Sequence, residues 1–150
     1  MKHLALALLA LTLIGCQGED PDPDQELFQG TWKCVRLWSQ GKEVKDIDIT
    51  DSLYTFENNR VIIKSGDTVS KGTYQLISWK RTKQITLTWK ESGSFIGIYK
   101  LEGDNLTIHL VANSHRPIPI PRDFTPPTTD EHVMVALKRI PKKKSQPKED

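Results

Sequence analysis

The strongest constraint on this chain is a two-residue alternation of apolar and polar side chains, broken at short intervals by tight-turn residues. Gln84-Ile85-Thr86-Leu87-Thr88-Trp89 places Ile85, Leu87 and Trp89 on one face. Leu106-Thr107-Ile108-His109-Leu110 repeats the pattern, with His109 opposite its apolar side. Successive side chains of a strand point to opposite faces, so this period marks half-buried β-structure. Strand-like runs occur at residues 31–38, 53–56, 61–64, 68–76, 84–89, 95–101, 106–111 and 133–140. Between most of them lies turn chemistry: Gln40-Gly41, Glu57-Asn58-Asn59, Ser65-Gly66-Asp67, Ser92-Gly93 and Gly103-Asp104-Asn105. No stretch of helical period rivals these, although residues 46–52 have room for one short turn. Eight strands on short turns predict an all-β fold, an antiparallel up-and-down meander. Closure into an eight-stranded barrel removes both exposed edges, and its interior is then either filled by side chains or holds one small ligand. A β-sandwich is the alternative.

The N-terminus has a different character. Met1-Lys2-His3 carries positive charge, residues 4–14 are apolar apart from Thr12, and the segment closes in Leu13-Ile14-Gly15-Cys16. A charged start, a short apolar stretch and a small residue before a cut describe a secretory signal, too short for a spanning helix. The four closing residues resemble the lipobox of bacterial lipoproteins, which implies removal of residues 1–15 and lipidation of Cys16. Such an anchor holds a protein on a membrane without a transmembrane helix. Gln17, by analogy with enterobacterial sorting, favours the outer membrane over the inner.

Residues 16–26 carry five acids and no large apolar side chain, which predicts an extended acidic spacer. Residues 27–140 form the predicted domain, and residues 141–150, with Lys142, Lys143, Lys144 and Lys148, a basic disordered tail. The chain has 21 Lys and Arg against 19 Asp and Glu, and loss of Lys2 with the signal leaves a net charge of one. That balance argues against a nucleic-acid partner. With Cys16 acylated, Cys34 has no disulfide partner, and its place in Trp32-Lys33-Cys34-Val35 reads as a small buried hydrophobe. A monomer is expected.

Gly30-Thr31-Trp32 resembles the Gly-x-Trp opening of lipocalin-like barrels. The resemblance implies that Trp32 closes the barrel floor and that Arg139, in the final strand, packs across it. A closer resemblance rests on Leu27-Phe28-Gln29-Gly30-Thr31-Trp32, Gly41-Lys42-Glu43-Val44, residues 97–106 (Gly-Ile-Tyr-Lys-Leu-Glu-Gly-Asp-Asn-Leu), Arg116-Pro117 and Leu137-Lys138-Arg139. Over residues 27–140 the chain is similar to an uncharacterised lipocalin-like domain family abundant in planctomycetes, often as lipoproteins. Trp79-Lys80 and Ile85-Thr86 stand where that family has Pro-Lys and Ile-Asp pairs. The family implies fold and location, and no activity.

Catalytic chemistry has little support. The histidines of the mature chain, His109, His115 and His132, lack the His-x-His spacing of strand-borne metal ligands. Asp46, Asp48 and Asp51 lack the glycine of a calcium loop. No Gly-x-Ser-x-Gly, phosphate loop or dinucleotide fingerprint occurs. Neither a cofactor nor an enzymatic activity is expected. Gly97 within a strand predicts a bulge or a close backbone approach, and Gly103-Asp104-Asn105 a tight turn.

Residues 113–130 hold five of the nine prolines with Arg116, Arg122 and Phe124. Loops of this length in compact domains tend to be lids or insertions, and Pro-Ile-Pro-Ile-Pro favours an extended path. The segment therefore reads as a cover for a barrel mouth, a dock for a partner, or a semi-rigid connection. Trp89, Phe95, Tyr99 and Arg116 are the candidate ligand-contacting residues, with plain core packing as the competing role for the aromatics. The sequence points to a lipid-anchored, non-catalytic binding protein for a small apolar ligand or an envelope partner. The alternatives are an interaction module with a solid core and an envelope enzyme.

Overall fold

The computed structural model describes residues 22–45, 51–79, 82–112 and 118–141. Cys16, Arg116, His115, the signal and the basic tail from Lys142 onward lie outside them. One short helix, α1 (Gln25–Phe28), precedes nine strands: β1 (Gly30–Ser39), β2 (Lys42–Val44), β3 (Leu53–Glu57), β4 (Arg60–Ser65), β5 (Thr68–Trp79), β6 (Thr82–Trp89), β7 (Gly93–Glu102), β8 (Asn105–Ala112) and β9 (His132–Arg139). All strand pairs are antiparallel, and β9 returns to β1 to close a barrel of eight strands. The expected meander and its closure are therefore present. The ninth strand, β2, is an addition: Lys42–Val44 folds back on the far end of β1 through the Gln40-Gly41 turn. Gln40 and Gly41 both adopt positive φ, which suits glycine and strains other residues.

Register follows from the alternation. Tyr74 faces Leu87 across β5 and β6, Leu87 faces Phe95 on β7, and Ile108 faces both Tyr99 and Val135. These inward residues form one core with Phe28, Trp32, Phe56, Val61, Ile85, Leu106 and Leu137. The β5–β6 hairpin extends further than its alternating core, to Trp79 and Thr82. Register slips between Cys34 and Arg36, where β1 bulges and turns Val35 outward to 48% exposure. At Gly97 the β8 backbone comes close to β7: a Cβ there would lie 1.9 Å from the His109 carbonyl oxygen.

The acidic segment ahead of the domain is not all spacer. Asp24 is buried and Gln25–Phe28 is helical, so the fold begins before Leu27. The reason is pairing, because Asp24 finds a cation and a hydroxyl at the barrel end.

The proline-rich segment, read as a mouth cover, a partner dock or a semi-rigid connection, follows the barrel wall. Its described part, residues 118–130, runs over the outer face of β7, β8 and β9. There it buries side chains that the alternation points outward: Ile98, His109, Val111 and Met134. Pro121 and Pro127 are themselves buried, and the backbone at Thr128 abuts Gly41. Proline lacks an amide donor, so the segment cannot extend the sheet and lies across it as a strap.

Candidate functional site

The two ends of the barrel are built differently. At one end α1 lays Phe28 into the interior, where its ring meets Phe56, Tyr74 and Tyr99 at centroid distances of 5.3, 5.9 and 4.9 Å. Trp32 is fully buried and donates its indole N–H to the Phe28 carbonyl at 2.9 Å. The Arg139 guanidinium lies over the Trp32 ring, 4.0 Å from its centroid. Its Nη1 donates to the Gln29 carbonyl at 2.8 Å, its Nη2 to that of Leu27, and its Nε pairs with Asp104 at 3.2 Å. Trp32 and Arg139 thus meet at this end, where β9 pairs with β1.

Polar groups at this floor satisfy one another. The Asp24 carboxylate accepts from Lys83 Nζ at 2.6 Å and from the Tyr99 hydroxyl at 2.9 Å, with Ser78 Oγ 3.2 Å from that hydroxyl. Burial, with the neighbouring carboxylates, pushes the Tyr99 phenol well above its ordinary range, so it stays a donor. Gln25 and Gln29 both donate to the Tyr74 hydroxyl, at 3.0 and 2.9 Å, and Gln29 Oε1 accepts the Asn58 amide. The floor is a closed, hydrogen-bonded plug.

The opposite end is looser. Leu37, Ile63, Trp89 and Phe95 pack on the core from the ends of β1, β4, β6 and β7, and each is only partly buried. Trp89 and Phe95 meet edge-to-face at 5.6 Å. Gly72 lies opposite Trp89 across the hairpin, and a Cβ there would come within 3.1 Å of the indole. The absence of a side chain gives the ring its seat. A cleft of about 300 Å³ lies against Trp89, lined by Val69, Ser70 and Lys71 on β5 and by Lys90, Glu91 and Ser92 in the following turn.

One atom here stands apart. Trp89 Nε1 is buried and is the one such side-chain nitrogen or oxygen without a hydrogen-bond partner among the described residues. An indole N–H is donor only, and leaving it unmet costs about 1–3 kcal/mol.

Of the candidate ligand residues, the structure brings Trp89 and Phe95 together at this end. It puts Tyr99 in the plug at the other, and Arg116 lies outside the described residues. Cys34 is buried and free, as expected, with its thiol pushed up to about 11 by burial. The same burial, and the nearby thiol, push the Tyr54 phenol upward as well. Sequence reasoning missed Asp24 and Lys83, hidden in an acidic run and an ordinary strand.

The chain matches no family model, no curated protein and no solved structure. Fold and geometry are therefore the guides to function. No group of three or more His, Cys, Asp or Glu side chains able to hold a metal occurs among the described residues. No described helix is long and apolar enough to cross a membrane.

Proposed function

We propose that this protein is a lipid-anchored, exported binding protein of lipocalin-like type that takes a small, largely apolar ligand at the open end of its barrel. The observation that carries the reading is the buried, unpartnered N–H of Trp89 beside a partly buried apolar rim. A ligand with an apolar body and one hydrogen-bond acceptor would bury that rim and meet the indole donor. Inside the floor the aromatic rings are packed and the buried polar groups are paired, and the cavity at that end lies outside the plug, against Asp22, Gln25, Glu26, Gln29 and Asn58. Acylation of Cys16 would attach the chain to a membrane just ahead of α1. The plugged end would then face the lipid, and the open end would face away from it.

Docking of an envelope partner on the proline-rich segment is the weaker reading, because the described strap buries Pro121 and Pro127 and partly buries Ile118, Ile120 and Phe124. An enzymatic reading would need convergent groups free to act, whereas Asp24, Lys83, Ser78 and Tyr99 are engaged with one another.

Fluorescence titration of the purified protein with a long-chain fatty acid tests the proposal. Saturable change in tryptophan emission is expected, with affinity reduced about tenfold in Trp89→Phe, which keeps the ring and loses the donor. Identical titration curves for the two proteins would remove Trp89 from the site.

A further inference from the structure

Outside the barrel, two imidazoles and the strap form one hydrogen-bonded chain. His109 projects from the outward face of β8 yet is only 5% exposed, because residues 118–127 cross above it. Its Nδ1 lies 2.8 Å from the Asp123 carbonyl oxygen, and its Nε2 lies 3.2 Å from Nδ1 of His132 at the start of β9.

The donors can be assigned from chemistry. A carbonyl only accepts, so His109 Nδ1 carries its proton. In a neutral ring Nε2 is then the acceptor, and His132 donates to it through Nδ1–H. One added proton is tolerated: His109 then donates from both nitrogens, and His132 accepts after moving its own proton to Nε2. A second proton is not, because both nitrogens across the 3.2 Å gap would then be donors.

The surroundings oppose a second positive charge. Ile96 and Ile98 flank the pair from β7, and Met134 follows His132 on β9, all apolar. Lys83, Lys100, Glu102 and Arg122 line the adjoining cleft beneath the strap, with Lys83 paired to Asp24 at 2.6 Å and Lys100 to Glu102 at 2.9 Å. Two further acids lie beside the pair in sequence or on the strap. Glu131 precedes His132 and favours its charged form, while the exposed Asp123 carboxylate is turned to the Thr125 amide at 2.9 Å. Burial outweighs Glu131 at His132, and the neighbouring His109 adds to burial, so the imidazole stays below its ordinary pKa.

We propose that His109 and His132 are a proton-operated clasp: as the medium turns acidic, the doubly charged pair separates, and the charged His109, which residues 118–127 keep from water, gains hydration when that segment lifts from the outer face of the barrel. The strap holds no place in the sheet, so the barrel keeps its closure when it lifts. Lifting uncovers the strip of Ile98, Val111 and Met134, which neutral conditions keep buried.

Nuclear magnetic resonance of the full chain tests this, following both imidazoles and the nuclear Overhauser effect between the His109 ring and the backbone at Asp123 and Phe124 from about pH 7.5 to about 4.5. Two separated titration steps are expected, with the His109–strap signal vanishing at the second. In His132→Gln the side-chain amide still donates to His109 and only one ring titrates, so the signal is expected to persist to the lowest pH. Independent titration of the two rings with the signal intact overturns the clasp. So does its disappearance at the same pH in His132→Gln, and the wild-type titration alone decides should that variant not fold.

Discussion

Arg139 holds its guanidinium 4.0 Å from the centroid of the Trp32 ring, so the last strand of the barrel grips the opening of the first. The contact joins the two strands whose pairing closes the sheet, and the same guanidinium reaches two carbonyls around α1. Arg139→Met keeps the stem and loses stacking, hydrogen bonds and the Asp104 pair. A loss of about 2–4 kcal/mol is expected in urea denaturation. Arg139→Lys keeps the charge without the planar fork and is expected to recover less than half of that loss.

Gly97 and Gly66 separate close approach from backbone strain. At Gly97 a methyl group would sit 1.9 Å from the His109 carbonyl oxygen, whereas at Gly66 (φ +55°) nothing lies within 4 Å. Gly97→Ala must push β7 from β8 and is expected to cost about 3 kcal/mol, against about 1 kcal/mol for Gly66→Ala. Thermal melts of the two variants, compared at equal concentration, check the order.

Asp24 belongs to the plug, and its removal takes the acceptor from the buried Tyr99 hydroxyl and the counter-charge from the half-exposed Lys83 ammonium. Asp24→Ala is expected to destabilise the domain by about 2–3 kcal/mol, and Tyr99→Phe by about 1 kcal/mol. A spacer residue would give no measurable change in the same denaturation experiment.

Cys34 should be inert at neutral pH. With its thiol raised to about 11, only about one molecule in a thousand holds the thiolate at pH 8. Labelling by a disulfide reagent is expected to require unfolding. The linkage has a definite sign. The folded state keeps a proton that the unfolded thiol releases near 9, so this group's contribution to stability is whole below pH 9 and falls between pH 9 and 11.

The barrel was legible because its signal is local. Strict alternation at Ile85, Leu87 and Trp89, and at Leu106, Ile108 and Leu110, fixes which face turns inward, and short turns leave little choice of neighbour. The strand ends were less so. Lys42–Val44 is too short for a period to show, and the β5–β6 hairpin runs past its apolar alternation to Trp79 and Thr82. Asp24 was hidden because an acid among acids reads as solvated until its partner, Lys83, is brought across the fold. His109 read as an outward residue, and it is one; only the path of residues 118–127 shows that outward there still means buried. The pairing of Trp89 with Phe95 follows from β6–β7 register, whereas the unmet indole N–H depends on three-dimensional surroundings that spacing does not encode.

A ligand held at the end of the barrel opposite α1 would be seen by native mass spectrometry of the protein purified without detergent. An added mass of a few hundred daltons is expected, removed by gentle activation and absent or depleted in Trp89→Phe. A bare protein mass that stays bare after incubation with an envelope lipid extract would contradict ligand binding there.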